Sequence, residues 1–345
     1  VFGTVCARLV LISKGLFINI GLSLASILLL FGSAELALRA MGRTTSRKPP
    51  PIYQTHDDPR ISYSLKPRIH EKVFRSTIVT NSLGFRSPEL DYNKPLIAVL
   101  GDSMIFGYGV ENDETVPARM QEMLPGYTVL NAGVPGYHLG QEAALFEKKI
   151  LPLKPEILVL VFYPNDFEAR TSFLDEEGIL RAENWVPGGS ECSPPEKGIF
   201  ALNRLHCNWM GKSVFYKSFY KLSNTIHGKR SLKSEQKASQ DNPEEDSVTQ
   251  EQLEAYEHQM DILMTSMPLD FPRLFVIWPD RFLHPTAVPA LIDFALEREF
   301  LVLNIYNYFG NEMPTLGWDT VHANPETLEK IAEIIVEKLT KEQIL

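Results

Sequence analysis

Hydrophobic positions follow three rhythms along the chain. From Gly15 to Ala34 they form a run of 20 residues without a charge, including Ile27-Leu28-Leu29-Leu30-Phe31. A helix needs about 20 such residues to cross the hydrocarbon core of a bilayer. No polar stripe at helical spacing interrupts the run, as one would in a core helix. The run predicts a tail and retained transmembrane anchor over residues 1–42. A cleaved signal peptide is the alternative, because Gly32-Ser33-Ala34 supplies small residues where cleavage would need them.

Residues 43–94 read as a linker and a small β-rich preface. Arg43 to Pro51 (R-T-T-S-R-K-P-P-P) favours extended polyproline geometry. Beyond it, short β-like runs such as Lys72 to Val79 alternate with turn signals such as Asn81-Ser82-Leu83-Gly84.

From Pro95 the rhythm changes again. Leu96–Leu100, Tyr127–Leu130, Ile157–Phe162, Leu274–Trp278 and Leu301–Ile305 are short continuous apolar runs, the pattern of strands buried on both faces. Helical stretches separate them: Asp113–Leu124, with Asp113 as cap and Pro125 as stop, then His138–Ile150 and Val288–Arg298. An amphipathic helix over about 325–339 closes the chain. Alternating strands and helices imply a parallel sheet covered on both sides. The predicted fold of residues 95–345 is therefore α/β, a flavodoxin-like three-layer sandwich on a five-stranded parallel sheet. An insertion at about 167–270 breaks the rhythm, being far longer than an ordinary crossover. It holds Cys192, Cys207, an aromatic patch (Phe215, Tyr216, Phe219, Tyr220) and a polar stretch, Gly228–Asp246, that composition reads as mobile. A lid, a surface for protein partners and a plainly structural subdomain all fit such an insertion.

Composition narrows the functional classes. A net charge of -9 argues against a nucleic-acid partner, which would require clustered Lys and Arg. The eight His and three Cys show no paired ligand spacing, so neither metal nor other cofactor is expected. Gly211-Lys212-Ser213 is no phosphate loop, because His206 stands where its first glycine belongs. Gly107-Tyr108-Gly109 is only a fragment of a dinucleotide fingerprint, and no G-x-S-x-G elbow is present. Cys192 and Cys207 are either a disulfide closing a short loop, contributing roughly 3 kcal/mol, or two buried thiols. Positive charges after the apolar run (Arg39, Arg43, Arg47, Lys48) exceed those before it (Arg8, Lys14), which favours a cytoplasmic domain. A short tail before a single anchor, and a disulfide, favour export; the expected location is membrane, single-pass, with a periplasmic or extracytoplasmic domain.

Open parallel sheets bind ligands at the carboxyl ends of their strands. Gly101-Asp102-Ser103 follows the first strand, Asn131-Ala132-Gly133-Val134-Pro135-Gly136 the second, and Tyr163-Pro164-Asn165-Asp166 the third. Asp319-Thr320-Val321-His322 precedes the last helix. Each is weak alone; their order and their common rim are not. Serine becomes a nucleophile when a base takes its proton. His322 is the candidate base, Asp319 its orienting carboxylate and Ser103 the nucleophile.

This constellation resembles the SGNH/GDSL hydrolase family over roughly residues 95–330, the insertion unmatched. The resemblance carries the family's nucleophile onto Ser103, its second-block glycine onto Gly136 rather than Gly133, and its asparagine onto Asn165. The last block falls on Asp319 and His322. It implies an oxyanion hole from the backbone N–H groups of Ser103 and Gly136 and the Asn165 amide. Tyr163 and Pro164 depart from the family, whose third block begins with glycine. Asn81–Arg86 (N-S-L-G-F-R) resembles the lead-in of membrane-tethered members. Three functions follow as expectations: an esterase or deacylase removing an O-acyl group from a glycan, lipid or other envelope molecule; an O-acyltransferase with the same triad; or a membrane-anchored accessory subunit using a hydrolase-like domain for protein interaction.

Overall fold

The computed structural model describes residues 2–45, 49–168, 171–183, 185, 203–242, 248–268 and 271–345. Two compact units divide the chain: Val1–Lys48 with Pro187–Ile226, and Pro49–Val186 with His227–Leu345. In the first unit, helix α1 (Phe2–Ala40) contains the apolar run. Its segment Leu16–Ala40 is 25 residues long with mean hydropathy 2.1, and none of its most apolar window is buried. That length and composition suffice for crossing a membrane, and anchors and signal sequences share them. Helix α5 (Asn203–Lys212) and the start of helix α6 (Val214–Asp241) complete this unit. Cys207 on α5 is disulfide-bonded, while Cys192 lies outside the described residues.

The second unit is the α/β sandwich. Two antiparallel hairpins lead into it, β1 (Tyr53–Thr55) with β2 (Tyr63–Leu65) and β3 (His70–Val73) with β4 (Ser76–Val79). Then come β5 (Leu96–Gly101), α2 (Ser103–Phe106), α3 (Val116–Met123), β6 (Thr128–Gly133), α4 (Leu139–Leu145) and β7 (Ile157–Phe162). A third hairpin, β8 (Ser172–Leu174) with β9 (Leu180–Ala182), opens the long connection. α7 (Gln250–Thr265), β10 (Arg273–Ile277), α8 (Ala287–Glu297), β11 (Leu301–Asn304), α9 (Tyr306–Phe309) and α10 (Pro325–Lys341) complete the chain. The sheet is parallel, ordered β11-β10-β7-β5-β6.

Side chains alternate across this sheet, as the two-residue period of a strand requires. Ala98, Leu100, Leu158, Leu160, Phe275 and Ile277 face one layer, packing with α4, α7 and α8. Ile97, Val99, Val159, Val161, Leu274 and Val276 face the other, packing with α3 and α10. The five strands and the three layers are those the hydrophobic pattern predicts. The switch point of the sheet falls at β5, where the chain turns outward to β6 and then crosses back to β7.

Two local expectations are corrected. Asp113 does not cap the first helix: residues 112–114 form a 3₁₀ turn, and the Thr115 hydroxyl caps α3 at the Ala118 N–H. The polar stretch from Gly228 is helical to Asp241. Its polarity serves contacts: Gln236 and Asn311 exchange amide bonds, Glu235 pairs with Arg281 at 2.9 Å, and Ser239 accepts from the Leu283 N–H. The late part of the long connection, α7, is the crossover helix that covers the sheet between β7 and β10.

Candidate active site

Strand β5 ends at Gly101, and the chain reverses at once into α2. Asp102 caps this helix, its Oδ1 accepting from the Met104 N–H at 2.8 Å. That cap presents Ser103 at the carboxyl end of the central strand. Gly133 packs behind the turn: a Cβ there would stand 2.2 Å from the Phe106 nitrogen, so only glycine fits. Gly107 ends α2 at φ 82°. Beneath it lies Arg86, buried and donating to the carbonyls of Thr77, Phe106, Gly107 and Val110 and to Asn112 Oδ1. Arg86, the last residue of the segment Asn81–Arg86, thus braces the Ser103 turn from below.

Asp319 and His322 come from a loop between α9 and α10. An isolated bridge between Thr315 and Ala323 closes it. Thr315 Oγ1 donates to the Asp319 carbonyl at 3.0 Å, and the Leu316 N–H donates to the His322 carbonyl at 2.9 Å. Asp319 Oδ1 accepts the N–H groups of Val321 and His322 at 2.6 and 2.9 Å, and its Oδ2 lies 3.1 Å from His322 Nδ1. The opposite ring nitrogen, Nε2, lies 3.0 Å from Ser103 Oγ, 219 residues away in sequence. Tyr108 stacks on the imidazole, with centroids 4.3 Å apart and planes at 24°. Burial alone would raise the Asp319 pKa; bonds from the His322 ring and from the His322 and Val321 N–H groups outweigh it and hold the carboxyl below its usual value. An imidazole placed between a hydroxyl and a carboxylate can take the hydroxyl proton while the carboxylate stabilises the resulting charge.

Asn165 lies in the 3₁₀ turn Pro164–Glu168 that follows β7. Its Nδ2 donates to Asp102 Oδ2 at 3.0 Å. An amide nitrogen carries two hydrogens, so this bond leaves one available. Gly136 occupies the loop after β6 at φ 81°, and the buried Tyr63 hydroxyl holds that loop through the Pro135 carbonyl at 2.7 Å. Ser103, Asn165, Asp319 and His322 are therefore linked through hydrogen bonds on one rim, with the Gly136 loop at the end of the neighbouring strand.

Sequence reasoning missed several groups around this rim. Asp102 is one of them: its two oxygens hold both the helix that starts at Ser103 and the Asn165 amide, and burial pushes its pKa up against those bonds. Tyr108 carries no motif signal. Below the site, Glu142 on α4 and Asp166 are buried, and neither oxygen of Glu142 has a hydrogen-bond donor among the described residues. Burial first, then the nearby carboxyls of Asp166 and Asp102, pushes Glu142 well above the usual carboxylate range. No group of three or more His, Cys, Asp or Glu is arranged to hold a metal among the described residues. A groove of about 710 Å³ adjoins the Asp319 loop, lined by Met313, Leu316, Thr320 and the lysines 229, 233 and 237 of α6.

No family model matches the chain, and no curated protein matches it. Among solved structures it is similar to a lipase/acylhydrolase from Enterococcus faecalis, at 12% identity and a TM-score of 0.41 over 72% of this chain and 96% of the other. It is also similar to the psychrotrophic esterase EstA from Pseudoalteromonas sp., at 10% identity and a TM-score of 0.42 over 73% of this chain and all of the other. A G-D-S-L lipolytic protein from Veillonella parvula aligns at 11% identity with a TM-score of 0.40, over 71% and 98% of the two chains. In its parallel sheet, and in four sequence blocks that each follow a strand or precede the last helix in the family's order, the chain resembles the SGNH/GDSL hydrolases.

Proposed function

We propose that this chain is a serine ester hydrolase of the SGNH/GDSL type that removes an O-acyl group through an acyl-enzyme on Ser103. The observation carrying this reading is the continuous relay Asp319–His322–Ser103, with contacts of 3.1 and 3.0 Å. In the proposed reaction His322 Nε2 takes the Ser103 proton as Oγ attacks the ester carbonyl, and Asp319 stabilises the imidazolium. The tetrahedral oxyanion is held by the backbone N–H groups of Ser103 and Gly136 and by the second Asn165 amide hydrogen. His322 then protonates the departing alkoxide, leaving an acyl ester on Ser103. Water, deprotonated by the same imidazole, releases the acid and restores the hydroxyl.

Asp102 acts as a positioning residue in this scheme, orienting the Asn165 amide while capping the nucleophile helix. The groove beside the Asp319 loop is the place for the remainder of the substrate, an acylated glycan, lipid or other envelope molecule; its lysines 229, 233 and 237 stand beside Asp241 and Glu312, so its lining carries both signs of charge. The exported side of a membrane is the setting this reading assigns to the domain, with α1 as its anchor.

Hydrolysis of p-nitrophenyl acetate by the purified full chain tests the proposal. Turnover that disappears in Ser103→Ala and in His322→Ala, with both variants folded, is the expected result. Turnover surviving in Ser103→Ala would refute it. An added alcohol that diverts the acyl group into a new ester would assign transfer rather than hydrolysis to the same intermediate.

A further inference from the structure

The first unit carries a surface that the hydrolase reading does not use. Along the first turns of α6, Phe215, Phe219, Leu222 and Ile226 recur at helical spacing and so share one face. Leu222 is 59% exposed, and Phe219 and Ile226 are each 46% exposed; Trp209 on α5 is 53% exposed. Lys217, Lys221 and Asn224 fall on the opposite side of the helix. A stripe of aromatic and aliphatic residues opposed by lysines is the composition of a helix lying in a bilayer interface.

The stripe is tied to α1 at a defined level. Glu35, on the polar end of the apolar segment, accepts from the Val214 and Phe215 N–H groups and from the Ser213 hydroxyl, at 3.1, 2.8 and 2.9 Å. It thereby satisfies the free donors at the start of α6. Arg39 pairs with the same carboxylate at 2.6 Å and donates to the Lys212 carbonyl at 2.7 Å. One turn towards the apolar side, the Phe31 and Phe215 rings meet at 5.0 Å. At about 1.5 Å rise per residue the 25-residue segment extends roughly 37 Å, against about 30 Å of hydrocarbon. With that segment centred, Glu35 lies roughly 10 Å and Arg39 roughly 16 Å from the midplane, which brackets the hydrocarbon boundary. Between α1 and α5–α6 runs a groove of about 910 Å³, walled by Leu28, Phe31, Trp209, Phe215 and Phe219, with Arg39 and Lys212 at its rim.

We infer that α5 and the first turns of α6 form a second membrane contact, with the Leu222–Ile226 stripe set in the boundary between acyl chains and headgroups and the groove filled by the acyl chain of a bilayer lipid. The occupant follows from continuity: the groove opens on the α1 face that meets lipid, at the depth where lipid headgroups begin. Apolar walls suit the chain, and the cations at the rim suit a lipid phosphate.

Photocrosslinking of the full chain in vesicles of phosphatidylcholine and phosphatidylglycerol tests this. Benzoylphenylalanine is placed singly at Leu28, Leu222, Ile226 and Asn224, and adducts are identified by mass after irradiation. Lipid adducts at Leu28, Leu222 and Ile226, at least about tenfold above those at Asn224, are the expected result, since only the first three face lipid. Adducts at Leu28 without any at Leu222 and Ile226 would overturn the inference. So would cross-links from Leu222 and Ile226 to protein, which would assign the stripe to a protein partner. Absence of lipid adducts at Leu28 would remove the membrane from this face altogether.

Discussion

Asn165 separates the proposed chemistry from mere structure. Truncation in Asn165→Ala removes two donated hydrogen bonds, one to Asp102 at 3.0 Å and one to the developing oxyanion. The first loss falls on the folded state. Asp102 keeps its bond from the Met104 N–H at 2.8 Å, so removing one bond to a charged group is expected to destabilise by about 1.5 to 3 kcal/mol. For a unit of this size such a loss lowers the melting temperature by roughly 3 to 12 °C. The second loss falls only on the transition state and amounts to about 3 to 4 kcal/mol, a kcat lowered by roughly 10²- to 10³-fold. Because the ground-state carbonyl gains little from this donor, KM should change by less than about threefold. Steady-state hydrolysis of p-nitrophenyl acetate, measured well below the melting temperature, reads the two effects separately. A kcat within about threefold of the parent chain would refute the donor role. Asn165→Asp sharpens the test: it keeps the shape but sets a carboxylate against Asp102, so it should lose at least as much kcat and more stability than the alanine variant.

Asp319→Asn is expected to lower kcat by about 10³- to 10⁴-fold by presenting the wrong tautomer of His322, measured with the same ester. Since the folded-state pKa of Asp319 is depressed, its contribution to stability is present above the unfolded value near 4 and is lost as pH falls through the folded value. Denaturant titrations between about pH 5 and pH 2 should therefore show a steeper loss in the parent chain than in Asp319→Asn. Glu142 has the opposite sign: its folded pKa is raised, so stability is fully present below about 4.3 and declines as pH rises towards the folded value. Glu142→Gln should flatten that decline and melt higher than the parent at about pH 8; an unchanged profile would contradict the buried, donor-free carboxyl. Arg86→Met removes five hydrogen bonds and strands the carbonyls of Thr77, Phe106 and Val110, while Asn112 Oδ1 keeps the Val79 N–H and the Gly107 carbonyl keeps the Val110 N–H. It should lower stability by about 3 kcal/mol or more in denaturant titration, since each stranded group costs about 1 to 3 kcal/mol.

Much of this was legible in the residues. Strands buried on both faces announce themselves as unbroken apolar runs: Ile157–Phe162 has the bounds its pattern implies, whereas the strand expected over Tyr127–Leu130 continues to Gly133, because Asn131, Ala132 and Gly133 break the apolar run without leaving the sheet. The juxtaposition of Ser103, Asp319 and His322, with Asn165 joined through Asp102, is legible because the proposed chemistry restricts residue type and the sheet restricts position to its rim. What escaped were residues whose role depends on long-range packing. Tyr108 is an ordinary aromatic until the fold brings the ring of His322 over it, 214 positions later. Glu142 looks like any helical glutamate, because nothing local reveals that its face of α4 is buried. Asp113 was a plausible cap by type, but Thr115 stands one residue before the first helical turn, and the proline at N2 of α3 fixes that start. The stretch from Gly228 to Asp241 has the composition of a solvated tail. Its glutamines and Glu235 instead find Asn311 and Arg281, partners too distant in sequence for composition to signal.

The central claim is that the Ser103 hydroxyl is an activated nucleophile. Labelling the full chain with a fluorophosphonate and locating the adduct by mass spectrometry tests it directly. The account expects a single phosphonylated peptide containing Ser103, absent in Ser103→Ala and formed far more slowly in His322→Ala. A folded parent chain that stays unlabelled, or one labelled equally in His322→Ala, would contradict it.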